Sequence, residues 1–281
     1  MSPTFWSNTI WFILLGISTI IELAVIFLKV KSRKLVLALY LTISGMAFCY
    51  EMIIYAYFKS YKYFPMLIPQ SPPDDSIAGN LFSQFSVSAT ALLIAVFDLR
   101  YYWFIILAAT YGVIEELFIK LGIFQHNWYQ TWMTVVGLLL FFGITKKIYK
   151  ESSKHIRRFL RYLYIFFGLV TLHEHSIVWV QRLIGVRVFS ETFLPEKEQS
   201  LVVLAAINLL LLGVIIMTIY FSNIKWSWRI PVIFVIYVAF LIAARLDLII
   251  YKEGWFFISS SICIWGMYLY TYILDRLYDR T

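Results

Sequence analysis

Residues 200–221 read SLVVLAAINLLLLGVIIMTIYF, and residues 11–27 read WFILLGISTIIELAVIF. A helix needs roughly 20 apolar residues to cross the hydrocarbon core of a bilayer. The strand of a membrane barrel would instead alternate polar and apolar residues over about 10 positions. Neither run alternates. In lipid every backbone N–H and C=O must be paired within the structure, which leaves helices once a barrel is set aside. The expected fold is all-α, a polytopic transmembrane helical bundle forming one transmembrane domain over 1–281.

Composition extends this reading to the whole chain. Apolar residues make up 61% of the 281 positions and charged residues only 14%, with a mean hydropathy of +0.78. A soluble domain carries about 25% charged residues, so this chain has too few polar groups to cover a water-facing exterior. Its first partner is therefore the lipid bilayer. Apolar runs predict nine spans near 10–28, 35–58, 78–97, 101–123, 129–145, 162–181, 201–222, 230–250 and 255–274. The connection SYKYFPMLIPQSPPDDS (60–76) holds four of the seven prolines and reads as non-helical. Pro231 is expected at the start of the eighth span, where a missing N–H costs nothing. No Lys or Arg precedes the first run, so it reads as a retained helix rather than a cleavable signal.

The basic residues give an orientation. With the N-terminus outside, 16 Lys and Arg fall on one side and 7 on the other. Lys and Arg are enriched in cytoplasmic loops, so the C-terminus is expected in the cytosol. The richest stretch is KKIYKESSKHIRRFLR (146–161). The net charge of +8 is thus explained by topology, and no nucleic-acid partner is implied. Cys49 and Cys263 fall inside spans and read as small apolar residues rather than a disulfide pair.

An internal repeat is also expected. At an offset of 123, Gly45 falls on Gly168, Glu51 on Glu174 and Lys59 on Arg182. Repeat units 33–150 and 156–281, each of four helices in the same orientation, would come after an extra first helix at 10–28. Parallel repeats of this kind occur in transporters.

Ionisable residues within spans are costly and mark functional sites. Here they are Glu22, Glu51, Glu115, Glu116, Glu174, Asp247, Arg245, His173 and His175. Glu51, Glu115 and Glu174 each lie seven or eight residues from the outer helix end, roughly 10–12 Å deep at 1.5 Å per residue. Asn80 and Gln84 share the outer half of their span, as do Thr131, Thr134 and Asn208, while Glu22 is near the midplane. These residues predict an outward polar cavity lined by carboxylates, with Arg245 as counter-charge. Packing pairs without a cavity are the alternative. His173 and His175 are two apart, not the i, i+4 spacing of a helical metal motif, so no metal or other cofactor is expected. Trp128, Tyr129 and Trp132 read as interfacial anchors.

Residues 76–150 carry a resemblance. The polar third span, DLRYYW (98–103), EELF (115–118) and HNWYQTW (126–132) together resemble a group of uncharacterised multi-pass membrane proteins of spore-forming Firmicutes. That resemblance implies a bacterial plasma membrane and no particular activity. Residues 114–118, IEELF, are also similar to the P-x-E-E-x-x-F helix of membrane lycopene cyclases. Val113 and Ile114 stand where the proline pattern begins, and the phenylalanine is displaced by one. The implication is that paired intramembrane acids can serve isoprenoid chemistry. Three function classes are open: a binding or sensing protein for a small molecule or lipid, which comes first because no catalytic motif is present; a permease for a small polar or cationic solute; and an enzyme acting on a lipid or isoprenoid.

Overall fold

The structure, a computed structural model, describes residues 5–154, 156–222 and 225–279. Among the described residues, nine helices are long and apolar enough to cross a membrane. They are α1 (Phe5–Lys29), α2 (Arg33–Tyr57), α3 (Pro72–Val96), α4 (Tyr101–Lys120), α5 (Thr131–Lys154) and α6 (Arg158–Ile184), then α7 (Lys197–Phe221), α8 (Trp226–Arg245) and α9 (Phe256–Tyr278). The chain is an all-α multi-pass membrane protein. Arg280, counted in the charge balance, lies outside the described residues.

Several helices start earlier than expected, and the starts of α3 and α8 change how their prolines are read. α3 begins at Pro72, six residues before the apolar run. Pro72 and Pro73 need no N–H in a first turn, and Asp74 and Asp75 suit the positive end of the helix dipole. The Asp75 carboxylate accepts the backbone N–H groups of Met66, Leu67 and Ile68 at 3.0, 2.7 and 2.7 Å, which ties the proline-rich loop to the helix. α8 begins at Trp226, so Pro231 sits inside it rather than at its start.

The chain packs as two compact units. Unit 1 runs to Ala47 and resumes from Phe58 to Arg157; unit 2 holds Phe48–Tyr57 and everything from Arg158 onward. In unit 1, α3 packs against α1 and α5, and α4 against α5. In unit 2, α9 packs against α6 and α7. A Cβ added to Gly168 on α6 would stand 2.8 Å from a methyl of Leu274 on α9, so the small residue sets that close approach.

Each unit also carries a short antiparallel pair that the sequence reading did not anticipate. β1 (Tyr61–Tyr63) pairs with β2 (Phe124–His126), with Tyr61 opposite His126. β3 (Arg187–Phe189) pairs with β4 (Ile249–Tyr251), with Arg187 opposite Tyr251. Three residues are too few to show a period of two. In unit 1 the pair packs on α3 and α4; in unit 2 the strands pack on α7 and α8.

Element starts recur at a fixed spacing. Arg33 and Arg158, Pro72 and Lys197, Tyr101 and Trp226, Thr131 and Phe256, and Phe124 and Ile249 are each 125 residues apart. Between β1 and β3 the spacing is 126. Left-handed residues recur too: Lys59 (φ 51°) with Gly185 (φ 74°), and Gly122 (φ 71°) with Asp247 (φ 52°). This corrects the offset of 123. Counted from its helix start, Glu51 corresponds to Ser176; counted back from the left-handed residue, it corresponds to Ile177. Neither count brings it to Glu174.

Candidate binding sites beside the two strand pairs

In unit 1 the strand pair brings a histidine onto an acid. Glu115, on α4, has a side chain only 11% exposed. His126 of β2 reaches its Oε1 through Nε2 at 2.7 Å. Thr134, in the first turn of α5, donates to its Oε2 at 2.6 Å, and the buried Tyr129 hydroxyl lies 3.3 Å from that threonine oxygen. The rings of Tyr61, Tyr63, Phe124 and Tyr129 stack around them, with centroids 4.8 to 5.2 Å apart between Tyr63 and Phe124, Tyr61 and Tyr129, and Tyr61 and Phe124. The result is a carboxylate with satisfied oxygens beside an aromatic wall. A carboxylate beside aromatic faces suits a cation.

Elsewhere in unit 1 a second chain of polar groups links three helices. Thr90 on α3 lies 2.9 and 2.8 Å from the two Glu22 oxygens of α1. The Tyr111 hydroxyl of α4 lies 2.8 Å from Thr90 and 2.9 Å from Ser86. Asn80 and Gln84 are buried on α3.

In unit 2 the strand pair carries a cation instead. Arg187, on β3, is 2% exposed. Its Nη1 donates to the Cys263 sulfur at 2.9 Å and its Nη2 to Asn208 Oδ1 at 3.0 Å. Phe189, Phe240 and Tyr251 place their rings 5.1, 5.1 and 5.9 Å from the guanidinium carbon. Gln181 Oε1 accepts from the Cys263 thiol at 3.4 Å and from the Ser259 hydroxyl at 3.0 Å. His173 is fully buried, with Nε2 on the Cys263 carbonyl at 3.2 Å and Nδ1 3.4 Å from Glu174 Oε1. A carbonyl only accepts, so Nε2 carries the hydrogen. The His175 ring stacks on Phe48 at 4.0 Å, with Nδ1 3.0 Å from the Thr171 carbonyl oxygen. Glu51 is buried on α2 within the Phe48–Tyr57 segment of this unit.

Several expectations need correction. Arg245 is the last residue of α8, is exposed, and has no carboxylate within 4 Å among the described residues. It is not the counter-charge. A cation at a helix C-terminus is favoured by the dipole alone. Asp247 is exposed and takes the left-handed turn that Gly122 takes after α4, a conformation aspartate tolerates better than most residues. Glu116 is exposed, and its Oε1 accepts from Thr131. Tyr129 is buried rather than interfacial, while Trp128 and Trp132 are exposed. Cys263 is free, as expected, but has polar partners rather than apolar surroundings alone.

Arg187 is absent from the carboxylate site read from the sequence, where it counts as a loop charge. The signal available was the run Val186-Arg187-Val188-Phe189, a β-branched pattern just after a glycine. Outside the spans, Asp98 turns between α3 and α4. Lys146 and Lys150, 2.8 and 3.2 Å away, hold its carboxyl below the usual carboxylate range. Among the described residues no three His, Cys, Asp or Glu side chains gather as metal ligands. No protein family, curated protein or solved structure matches the chain.

Proposed function

We propose that this chain is a membrane-embedded binding or sensing protein. In this reading its two halves are diverged copies of one unit, and the ligand-facing place beside each strand pair holds a carboxylate in the first and a guanidinium in the second. The observation that carries it is positional. At the spacing of 125 to 126, Glu115 corresponds to Phe240, His126 to Tyr251 and Tyr61 to Arg187. A charged anchor thus recurs in the same neighbourhood with opposite sign. The partners of each anchor favour binding over covalent catalysis. The Cys263 sulfur is held by Arg187 Nη1, and both Glu115 oxygens are already taken.

The proposed setting is a bacterial plasma membrane, with the N-terminus outside and the C-terminus in the cytosol. The 16 to 7 basic asymmetry supports the orientation. A reporter fused after Thr281 should read as cytosolic and one inserted near Pro72 as external; the same side for both would overturn it. The binding reading is tested with the full chain in lipid nanodiscs, by native mass spectrometry and by thermal shift against cationic, anionic and neutral amphiphiles. At least one class should bind and should lose its effect in Glu115→Gln or Arg187→Gln. No binder, or binders indifferent to both substitutions, removes the proposal. The chain Glu22–Thr90–Tyr111–Ser86 favours a second reading, a permease, because linked hydroxyls and an intramembrane acid suit a proton path. Solute uptake into proteoliposomes would decide for that reading.

A further inference from the structure

The charge of Arg187 is not balanced by any acid in contact with it. A guanidinium stays protonated in proteins, and burying a charge without a partner is costly. Among the described residues no carboxylate lies within 4 Å of Arg187. The nearby Glu174 faces His173. The groups that do touch Arg187 are a thiol, an amide oxygen, the Tyr251 hydroxyl and three aromatic rings.

Two donors beside it are unclaimed. Arg187 Nε and Asn208 Nδ2 are both buried and have no hydrogen-bond partner. They belong to side chains already joined through Nη2 and Oδ1, so they sit on one small group of atoms. Buried donors are almost always satisfied. What is missing is therefore an acceptor with one negative charge and two oxygens. A carboxylate has that charge and one oxygen for each of the two donors, and hydrogen bonds in which a group is ionised are the stronger ones. A phosphate dianion would leave one negative charge uncompensated. Three ring faces, of Phe189, Phe240 and Tyr251, stand against the guanidinium, so the carboxylate should head an apolar tail.

We propose that the Arg187–Asn208 site of unit 2 binds the carboxylate of a fatty-acid-like amphiphile, with Arg187 Nε and Asn208 Nδ2 as the donors that hold it. This rests on the binding reading above and narrows it to one ligand class at one of the two places. The internal alternative is that Cys263 gives up its proton and neutralises Arg187 itself. The geometry favours the thiol, because its hydrogen already has an acceptor in Gln181 Oε1.

The test uses the full chain in nanodiscs and laurate labelled with carbon-13 at the carboxyl. Wild-type protein should give a saturable, shifted carboxyl resonance. Dodecanol, which has the same tail and no charge, should not compete. Acetate that bound as tightly as laurate would keep the carboxylate site and place its source in the aqueous phase. Asn208→Leu should weaken laurate about tenfold, the loss expected for one hydrogen bond to a charged group, and Arg187→Gln should abolish the shifted resonance. Should Arg187→Gln fail to fold, the wild-type resonance and Asn208→Leu still decide. The proposal fails if wild-type protein shows no saturable carboxylate, if dodecanol competes equally, or if Asn208→Leu binds like wild type. A thiolate ultraviolet band lost in Cys263→Ser would also overturn it. A neutral or cationic amphiphile that bound while laurate did not would sink this inference and leave the broader binding reading standing.

Discussion

The places beside β1–β2 and β3–β4 share a backbone frame and differ in how their charge is handled. In unit 1, Glu115 has His126 and Thr134 against its two oxygens and is complete from within. In unit 2, aromatic rings occupy both corresponding positions, Phe240 and Tyr251, and the charge has moved onto the strand as Arg187. That cation keeps an unclaimed N–H. The frame therefore does not fix which position carries the charge, and the side chains around each charged group decide whether it needs an outside partner.

The sharpest way to break the comparison is to reverse the charge in unit 2. Arg187→Glu would put a carboxylate among a thiol, an amide oxygen and ring faces, with no cation to meet it. Breaking a buried charge arrangement costs about 3–5 kcal/mol, so thermal unfolding of the purified protein should show a large fall in midpoint. The corresponding change in unit 1, Tyr61→Arg, brings a cation to the strand position opposite His126, next to the neighbourhood of Glu115. It should unfold at a much higher temperature than Arg187→Glu. Equal losses would mean that the two places are not comparable.

Next in size is the seat of the unit 1 strand. A Cβ on Gly79 would lie 2.6 Å from Tyr63 Cβ, which belongs to the rigid start of a side chain. Gly79→Ala should cost up to about 3 kcal/mol, as overpacking does. Gly168→Ala in unit 2 meets only the flexible end of Leu274 and should cost less. Denaturant titration of both variants orders them, and the reverse order would contradict the geometry.

A smaller effect is expected at Glu115→Gln, which removes the charge facing His126 and leaves an amide oxygen for Thr134. The loss should be about 1.5 kcal/mol, the low end for a hydrogen bond to a charged group. It should appear with a change in the His126 imidazole resonance by NMR. An unchanged resonance would show that the acid and the imidazole are not coupled.

The smallest effect concerns Asp98. Its carboxyl titrates below the ordinary 3.8 because Lys146 and Lys150 face it. A depressed folded value stabilises above the unfolded value and is lost as pH falls through the folded one. Acidification from about pH 5 to well below 3.8 should therefore remove a small contribution in wild type that Asp98→Asn lacks throughout. Parallel pH profiles for the two proteins would show that the tie contributes nothing.

The helical fold was legible because each span is long enough for its apolar run to exceed what any soluble element needs. The α3 start was missed because its first turn is made of Pro72, Pro73, Asp74 and Asp75, which a hydropathy reading assigns to a loop. The acids were found because carboxylates stand out in an apolar background, and Glu115 and Glu51 do turn inward. Arg187 was missed because a cation near a span end reads as a topology signal. Only a three-residue strand, invisible to periodicity, turns it into the interior. Arg245 was misjudged for the opposite reason: it looked internal by its position in an apolar run, yet it closes a helix.

The wide π-helical turns of α2 (Met52–Tyr57) and α6 (Val170–Val178) carry one more consequence. The stretch from Arg158 to left-handed Gly185 is one residue longer than the stretch from Arg33 to left-handed Lys59. An i→i+5 turn takes up one residue more than an i→i+4 turn. A helix able to widen locally can absorb a single-codon insertion without rotating the rest of the chain. If the two halves are copies of one unit, as proposed above, the wider turns of α6 are where the one-residue difference between them would be absorbed.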